Sequence, residues 1–175
     1  RMELDRKIGV IANTRKLLKQ IRANDVGRPV RCHFSEKIYL KLTGVESQPA
    51  TSSIEISEDV RRHLMECEYP GIQAFPMGAS IGWQDFMQER YTYKNVFSFA
   101  EEKSLPDVIE IPETEAIVAV CTENDGDIRQ MYRQIASYIK EKGLRPASDI
   151  YSLSIVNVID PKEERKYLKY IFVCI

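Results

Sequence analysis

The sequence predicts an α+β domain: a duplicated strand–helix–strand–strand module with antiparallel sheets, preceded by an N-terminal helix. Three observations predict it. The order strand, helix, strand, strand occurs twice, over about 37–100 and 115–175. The first strands of the two stretches echo each other, with Ile38/Leu40/Leu42 spaced like Ala116/Val118/Val120. Each stretch also holds one amphipathic helical segment. At 175 residues the chain fits one domain of ordinary size with its own core.

Residues 1–22 read as helix, with Leu4, Ile8, Ile11, Leu18 and Ile21 in a broken apolar stripe. If Leu4, Ile11 and Leu18 are heptad d positions, Ile8 is an a position and Arg15 and Arg22 occupy the next two. Such a stripe either packs on its own domain or ends an interdomain helix. The pattern is already running at Arg1, as in a piece of a longer protein. Gly27 and Pro29 punctuate a helix stop and linker. Val30/Cys32/Phe34 and Ile38/Leu40/Leu42 alternate as half-buried strands. Ser52 with Glu55 forms a capping box, opening a helix through Cys67 whose buried face is Ile56, Val60, Leu64 and Cys67. Tyr69-Pro70-Gly71 breaks it.

Two strands follow, at about 75–84 and 91–100, with Gly78-Ala-Ser-Ile-Gly82 fitting a strand in close backbone contact better than a phosphate loop. Val108–Ile111 is a short strand before the turn Pro112-Glu-Thr-Glu115. Ile128, Met131, Tyr132, Ile135 and Ile139 make one face of a helix that Gly143 stops. Strands at 148–158 and 166–175 close the chain around the Asp160-Pro161 turn. The resulting organisation is a helix over 1–26 and a domain over 27–175, with pseudo-repeats at about 30–103 and 104–175.

Charge excludes some partners. The chain holds 25 basic and 26 acidic residues, so it has no overall footprint for nucleic acid or membrane. Residues 1–22 carry seven basic and two acidic side chains, net +5, which leaves the rest at net −6. A basic helix is joined to an acidic domain. No apolar run approaches 18 residues, which argues for a cytoplasmic protein. Cys32, Cys67, Cys121 and Cys174 are scattered and expected reduced, and His33 and His63 lack a second ligand at metal spacing. Motifs of hydrolases, nucleotide binders and metalloproteases are missing, so no catalytic residue, metal or cofactor is expected.

Aromatic residues concentrate on the strands. Met77, Ala79, Ile81 and Trp83 share one face by period-two geometry; so do Tyr91, Tyr93, Asn95 and Phe97, and Tyr167, Lys169, Ile171 and Val173. Core is the default role, yet buried phenols need partners, and aromatic walls with a few polar groups also make small-molecule pockets.

Tyr138-Ile139, Ser148-Asp-Ile-Tyr151, Pro161-Lys162, Tyr167, and Thr92-Tyr93 with Val96-Phe97 carry a likeness to a known family. Over roughly residues 30 to 175 the chain resembles the gyrase-inhibitor-like effector-binding domain found at the C-terminus of MerR-type multidrug-responsive transcription activators. The resemblance implies this same duplication, with a cleft between the halves that binds a small lipophilic or aromatic molecule. It implies a homodimer through the N-terminal helix, and DNA contact only through a DNA-binding domain N-terminal to this segment. Aligned pocket positions fall on Ser57, Met77, Tyr93, Ser152, Ser154 and Tyr167, and Trp83, the only tryptophan, is expected close by.

Tyr93 and Tyr167 keep the family's aromatic character, whereas Met77, Ser57 and Ser154 replace bulkier side chains. Ser152 stands where the family carries a buried glutamate that neutralises lipophilic cations; Glu110, Glu115 or Glu123 would have to supply that charge. Lys169 either points inward and favours an anion or snorkels at the sheet rim. Two other functions compete: a stand-alone gyrase-inhibitor-like interaction module, and a small hydrolase on the same fold. The N-terminal helix counts against the first and Ser152 against the second.

Overall fold

Alternating apolar runs become the strands of a single sheet, and the two helical stripes lie on it. The structure, a computed structural model, describes residues 27–68, 72, 74–101, 103–122, 125–159 and 165–175, and gives only the backbone of 122, 125–127, 156–159 and 165–167. The expected helix over 1–26, the break at 69–71 and the Asp160-Pro161 turn lie outside the described residues. In chain order the elements are β1 (Val30–Phe34), β2 (Ile38–Gly44), α1 (Ser57–Glu68), β3 (Met77–Ile81), α2 (Trp83–Met87), β4 (Tyr93–Ala100), β5 (Val108–Ile111), β6 (Thr114–Thr122), α3 (Asp125–Glu141), β7 (Ile150–Ile159) and β8 (Arg165–Cys174). The strands form one antiparallel sheet in the order β1-β6-β8-β7-β3-β4-β2-β5.

The duplication is visible in that order. The first module lays its strands β2-β4-β3 and the second lays β6-β8-β7, and these two three-stranded sets meet at β3–β7. The strand leading each module crosses to the other half: β1 pairs with β6, and β5 pairs with β2. This exchange forces the sheet to curl. In a flat sheet the six inter-strand steps from β1 to β2 would span roughly 29 Å. The connection from Phe34 to Ile38 reaches about 14 Å at most. The Ile111–Thr114 connection makes the same demand from the other edge. The concave face therefore folds towards itself and needs no helix: Phe34, Leu40, Phe97, Ile111, Val118, Leu153, Tyr170 and Phe172 form a buried cluster drawn from both halves.

Both helices lie on the opposite face. On α3 the expected stripe is buried, Ile128, Met131, Tyr132, Ile135 and Ile139, and it packs on Ile117, Ala119, Ile171 and Val173. The helix stops as expected, with Gly143 at φ 62°. For α1 the capping box forms, Glu55 Oε2 accepting from Ser52 N at 3.0 Å and Thr51 N at 2.7 Å. Ile56 and Cys67 are buried as expected, but Asp59 and His63 also point inward, while Val60 and Leu64 are only half-buried. Asp59 accounts for part of this, accepting from Glu46 N at 3.0 Å and so tying α1 to the loop after β2.

One element went unanticipated. The strand read over 75–84 is shorter, Met77–Ile81, and Gly82 turns the chain into the five-residue α2. Trp83 therefore leaves the strand face shared by Met77, Ala79 and Ile81. What α2 buries is Phe86, whose ring meets Tyr132 of α3 at 5.4 Å, edge to face.

Gly78 is where the two halves are joined. A Cβ there would sit 2.1 Å from Ser152 O and 2.8 Å from Leu153 Cα. The close backbone contact expected from the Gly78–Gly82 pattern is thus the junction itself. Phe97 and Tyr151, on the strands flanking β3, meet edge to face at 5.2 Å across it.

Candidate functional site

The two large helices leave a gap over part of the β3–β7 junction: α1 packs on β2 and β4, and α3 packs on β6, its buried cluster reaching only the Ile81–Ile150 end of that ladder. Beyond that end the residues facing the gap are small, Ala79 and Ser152, beside Gly78. The space between the helices is therefore not filled by side chains. A cavity of about 190 Å³ opens there. Ser53, Ile56 and Val60 form the α1 side, Met77 and Ala79 with Tyr93 and Val96 the floor of the first half, and Ser152, Ser154 and Lys169 the second half.

Of the positions singled out in the sequence, Met77, Tyr93, Ser152 and Ser154 are brought together on this wall. Tyr93 is held by its backbone, its N donating to Ala50 O at 2.8 Å and its carbonyl accepting from Gln48 Nε2 at 2.7 Å. Lys169 stands opposite Ser154 in the β7–β8 ladder, is half-buried and lines the cavity. Ser57 is corrected: it is exposed at the start of α1, and Ser53 takes the wall. Trp83 is also corrected: it is 40% exposed on α2 and absent from the wall. The side chain of Tyr167 lies outside the described residues; its backbone pairs with Asn157.

Glu110 and Glu115, two of the three candidate substitute carboxylates, do not line the cavity. Glu110 pairs with Lys37 at 3.3 Å, and Glu115 accepts from Arg31 Nε at 3.0 Å and contacts His33 Nδ1 at 2.9 Å on the β1–β6 edge. Glu123 lies outside the described residues. Among the described residues no carboxylate and no histidine lines the cavity. Behind Ser152 sits Tyr132, 3% exposed, whose Oη lacks a hydrogen-bond partner within bonding geometry although the Ser152 hydroxyl is close enough to favour its ionised form. Burial dominates and raises the Tyr132 phenol above its ordinary value.

A second polar cluster, missed in the sequence, lies on the far side of α1. His63 is fully buried, with Nδ1 2.8 Å from Thr43 Oγ1 and Nε2 2.7 Å from Ser98 Oγ. Burial, with a smaller push from Lys41 and against a pull from Glu66, lowers its pKa to about 4, so the ring is neutral at pH 7. A neutral ring has one proton. Ser98 donates to Ala74 O and so accepts from Nε2–H, which leaves Nδ1 competing with Glu66 Oε2 (2.6 Å) for the Thr43 proton. Lys41, also buried, bridges Glu66 at 3.3 Å and Asp107 at 3.2 Å. The signal was available: His63 sits seven residues after Ile56 and four before Cys67, on the buried stripe.

With this geometry in hand, comparison with known proteins is informative about the fold alone. The fold is shared; the sequence is not. No protein-family model matches the chain, and no curated protein matches its sequence. The C-terminal domain of EcmrR has the same fold, with a TM-score of 0.54 and 11% identity over 84% of this chain and 96% of that one. A hydrolase from Listeria innocua and an uncharacterized conserved protein from the same organism each reach a TM-score of 0.48, at 8% and 9% identity, over 85% of this chain and 92% of theirs. No helix among the described residues is long and apolar enough to cross a membrane.

Proposed function

We propose that this chain is the effector-binding domain of a MerR-type transcription regulator, taking a small aromatic or lipophilic molecule into the cleft between its two halves. DNA is then contacted by a separate DNA-binding domain, and residues 1–26 link the two and pair with a second copy. The domain acts as a binder rather than a catalyst. The sequence resemblance over residues 30–175 and the fold held in common with the EcmrR C-terminal domain support the reading. The observation that carries it is the cavity wall, drawn from β3, β4 and α1 of one half and β7 and β8 of the other. A molecule seated there touches both modules at their central β3–β7 ladder, so occupancy and the relative setting of the halves are coupled.

The test is a thermal and NMR screen of the full chain against single-ring aromatics that are cationic, neutral and anionic. A ligand at ten times its Kd should stabilise by about 1.4 kcal/mol, raising Tm by roughly 3–5 °C. Ala79→Leu places an isobutyl group in the cavity and should abolish binding while leaving the fold intact. Tyr93→Ala should weaken binding by removing an aromatic wall. Binding that survives both changes, or no binding in any charge class, would refute the proposal.

A further inference from the structure

We infer that the ligand of this cleft carries a hydrogen-bond acceptor beside its ring, an aryl carbonyl by class, which takes the proton of Ser152, and that Tyr132 positions that proton from behind. The inference rests on the effector-binding reading and names the chemistry of that site. The place of Ser152, an unmet phenol and the make-up of the wall support it.

Ser152 stands at a boundary. Paired residues share a face of the sheet, and one such row runs Val96, Ala79, Ser152, Ile171, Ala119 across β4, β3, β7, β8 and β6. Val96 and Ala79 line the cavity, whereas Ile171 and Ala119 lie in the core beneath α3. Ser152 is the only polar member of the row. It is half-buried on the cavity wall, and Tyr132 of α3 lies behind it.

Tyr132 decides which way the Ser152 hydroxyl turns. The residue is 3% exposed, and its phenol has no hydrogen-bond partner within bonding geometry. The phenol of Tyr91, whose ring lies 5.1 Å from that of Tyr132, is equally unmet, so the two do not serve each other. A buried phenol keeps its proton, and that proton needs an acceptor. The Ser152 oxygen is close enough to act on the phenol and is the acceptor within reach. The opposite bond, with Ser152 donating, would leave the Tyr132 proton unmet in the core. A serine hydroxyl has one proton and two lone pairs. Once its oxygen accepts from Tyr132, its proton is left to the cavity side, where a ligand carbonyl completes the chain. A hydrocarbon would leave it unmet in a space from which water has been displaced.

The rest of the wall selects the body of the ligand. Ile56, Val60, Met77 and Val96 are apolar, and among the described residues no carboxylate, amide or imidazole lines the cavity to compete for the Ser152 proton. The volume is about 190 Å³. A dry cavity of roughly 150 Å³ accepts benzene, so this one suits a single ring with a short carbonyl arm.

The probes are acetophenone and 2-phenylpropene, in which a methylene group replaces the carbonyl oxygen. Both are uncharged, so no ionised group on the wall decides the comparison. Each is titrated into the full chain by NMR, and the quantity read is the ratio of their affinities. Ser152→Ala should lower the preference for acetophenone about tenfold. Tyr132→Phe should lower it at least about threefold, and should have no further effect when Ser152 is already alanine, because it acts through that hydroxyl. A native melting temperature for each variant checks that the fold is retained. A ratio that Ser152→Ala leaves unchanged, with Ala79→Leu still blocking both probes, would overturn the acceptor assignment and leave the effector-binding reading standing. So would failure of both probes while another aromatic binds in a manner that Ala79→Leu abolishes. A Tyr132→Phe effect that is absent, or that persists beside Ser152→Ala, would overturn the positioning role. Absence of any aromatic binding sensitive to Ala79→Leu would overturn both readings.

Discussion

Gly78→Ala is the sharpest test of how the two halves are joined. The added methyl would point into the β7 backbone, 2.1 Å from Ser152 O and 2.8 Å from both Leu153 Cα and Cβ. Neither neighbour can rotate away, since two of the three contacts are main chain. Relief requires separating β3 from β7 by about an ångström, which strains a well-packed region at roughly 1–3 kcal/mol. It also weakens one or two of the ladder hydrogen bonds around Gly78–Leu153 and Ala79–Ser152, at about 1 kcal/mol each. The expected loss is about 2–4 kcal/mol, or a fall in Tm of roughly 5–15 °C for a domain of this size. Gly44→Ala is the control, because nothing lies within 4 Å of its added methyl, and it should change stability by less than about 1 kcal/mol. Thermal melts of the three proteins, read by circular dichroism, make the comparison. A Gly78→Ala protein that melts with the parent would show that the halves do not meet as tightly as described.

Ser152→Glu should create or strengthen binding of aromatic cations in the cleft: 2-phenylethylammonium should gain about tenfold or more, reduced by desolvation of the new carboxylate, relative to a neutral aromatic of similar shape. Equal responses to both ligands in paired titrations of the variant would place the Ser152 side chain away from the ligand. The only two histidines should titrate in opposite directions from the ordinary value, which NMR of their ring nitrogens resolves. His33, hydrogen-bonded to Glu113 and then Glu115, titrates above it, while buried His63 stays neutral until about pH 4. Because the unfolded chain protonates His63 near 6.5, its contribution is fully present above that pH and is lost as pH falls towards 4, about 3 kcal/mol in all. A His63 ring that is charged at pH 5.5 in the folded protein would contradict this.

What the sequence made legible was local. The α3 stripe, the capping box at Ser52 and Glu55, the short strand at 108–111 and the stop at Gly143 each follow from spacing or turn chemistry within a few residues. The misses share a cause, which is that their deciding partner is distant. Trp83 continues the alternation of Met77, Ala79 and Ile81, and only the docking of Phe86 on Tyr132 shows why the strand ends before it. Ser53 and Ser57 are equally plausible wall residues until the helix phase is known. His63 is the exception: its place on the Ile56–Cys67 stripe was readable, and only its hydrogen-bond partners, Thr43 and Ser98 from β2 and β4, are distant. The exchange of β1 and β5 between the halves also has no local signature, and a shared sheet could not have been distinguished from two separate ones.

The cavity is a consequence of the duplication combined with small residues at one place. Each module brings a helix that packs over its own half, α1 on β2 and β4 and α3 on β6, which leaves the central pair of strands open beyond its Ile81–Ile150 end. Large apolar residues at Ala79, Ser152 and Ser154 would close the gap and add core, at about 0.8 kcal/mol for each buried methylene. The chain instead carries a methyl group and two hydroxyls there, beside a glycine that brings the backbones too close for any side chain. Core packing alone gives no reason to put serines in the middle of a curled sheet whose other face is filled by Phe97, Tyr151, Tyr170 and Phe172. A space kept open at the central ladder between the two modules does give one. It makes the junction the least self-sufficient part of the domain, and so the part whose packing a bound molecule can complete.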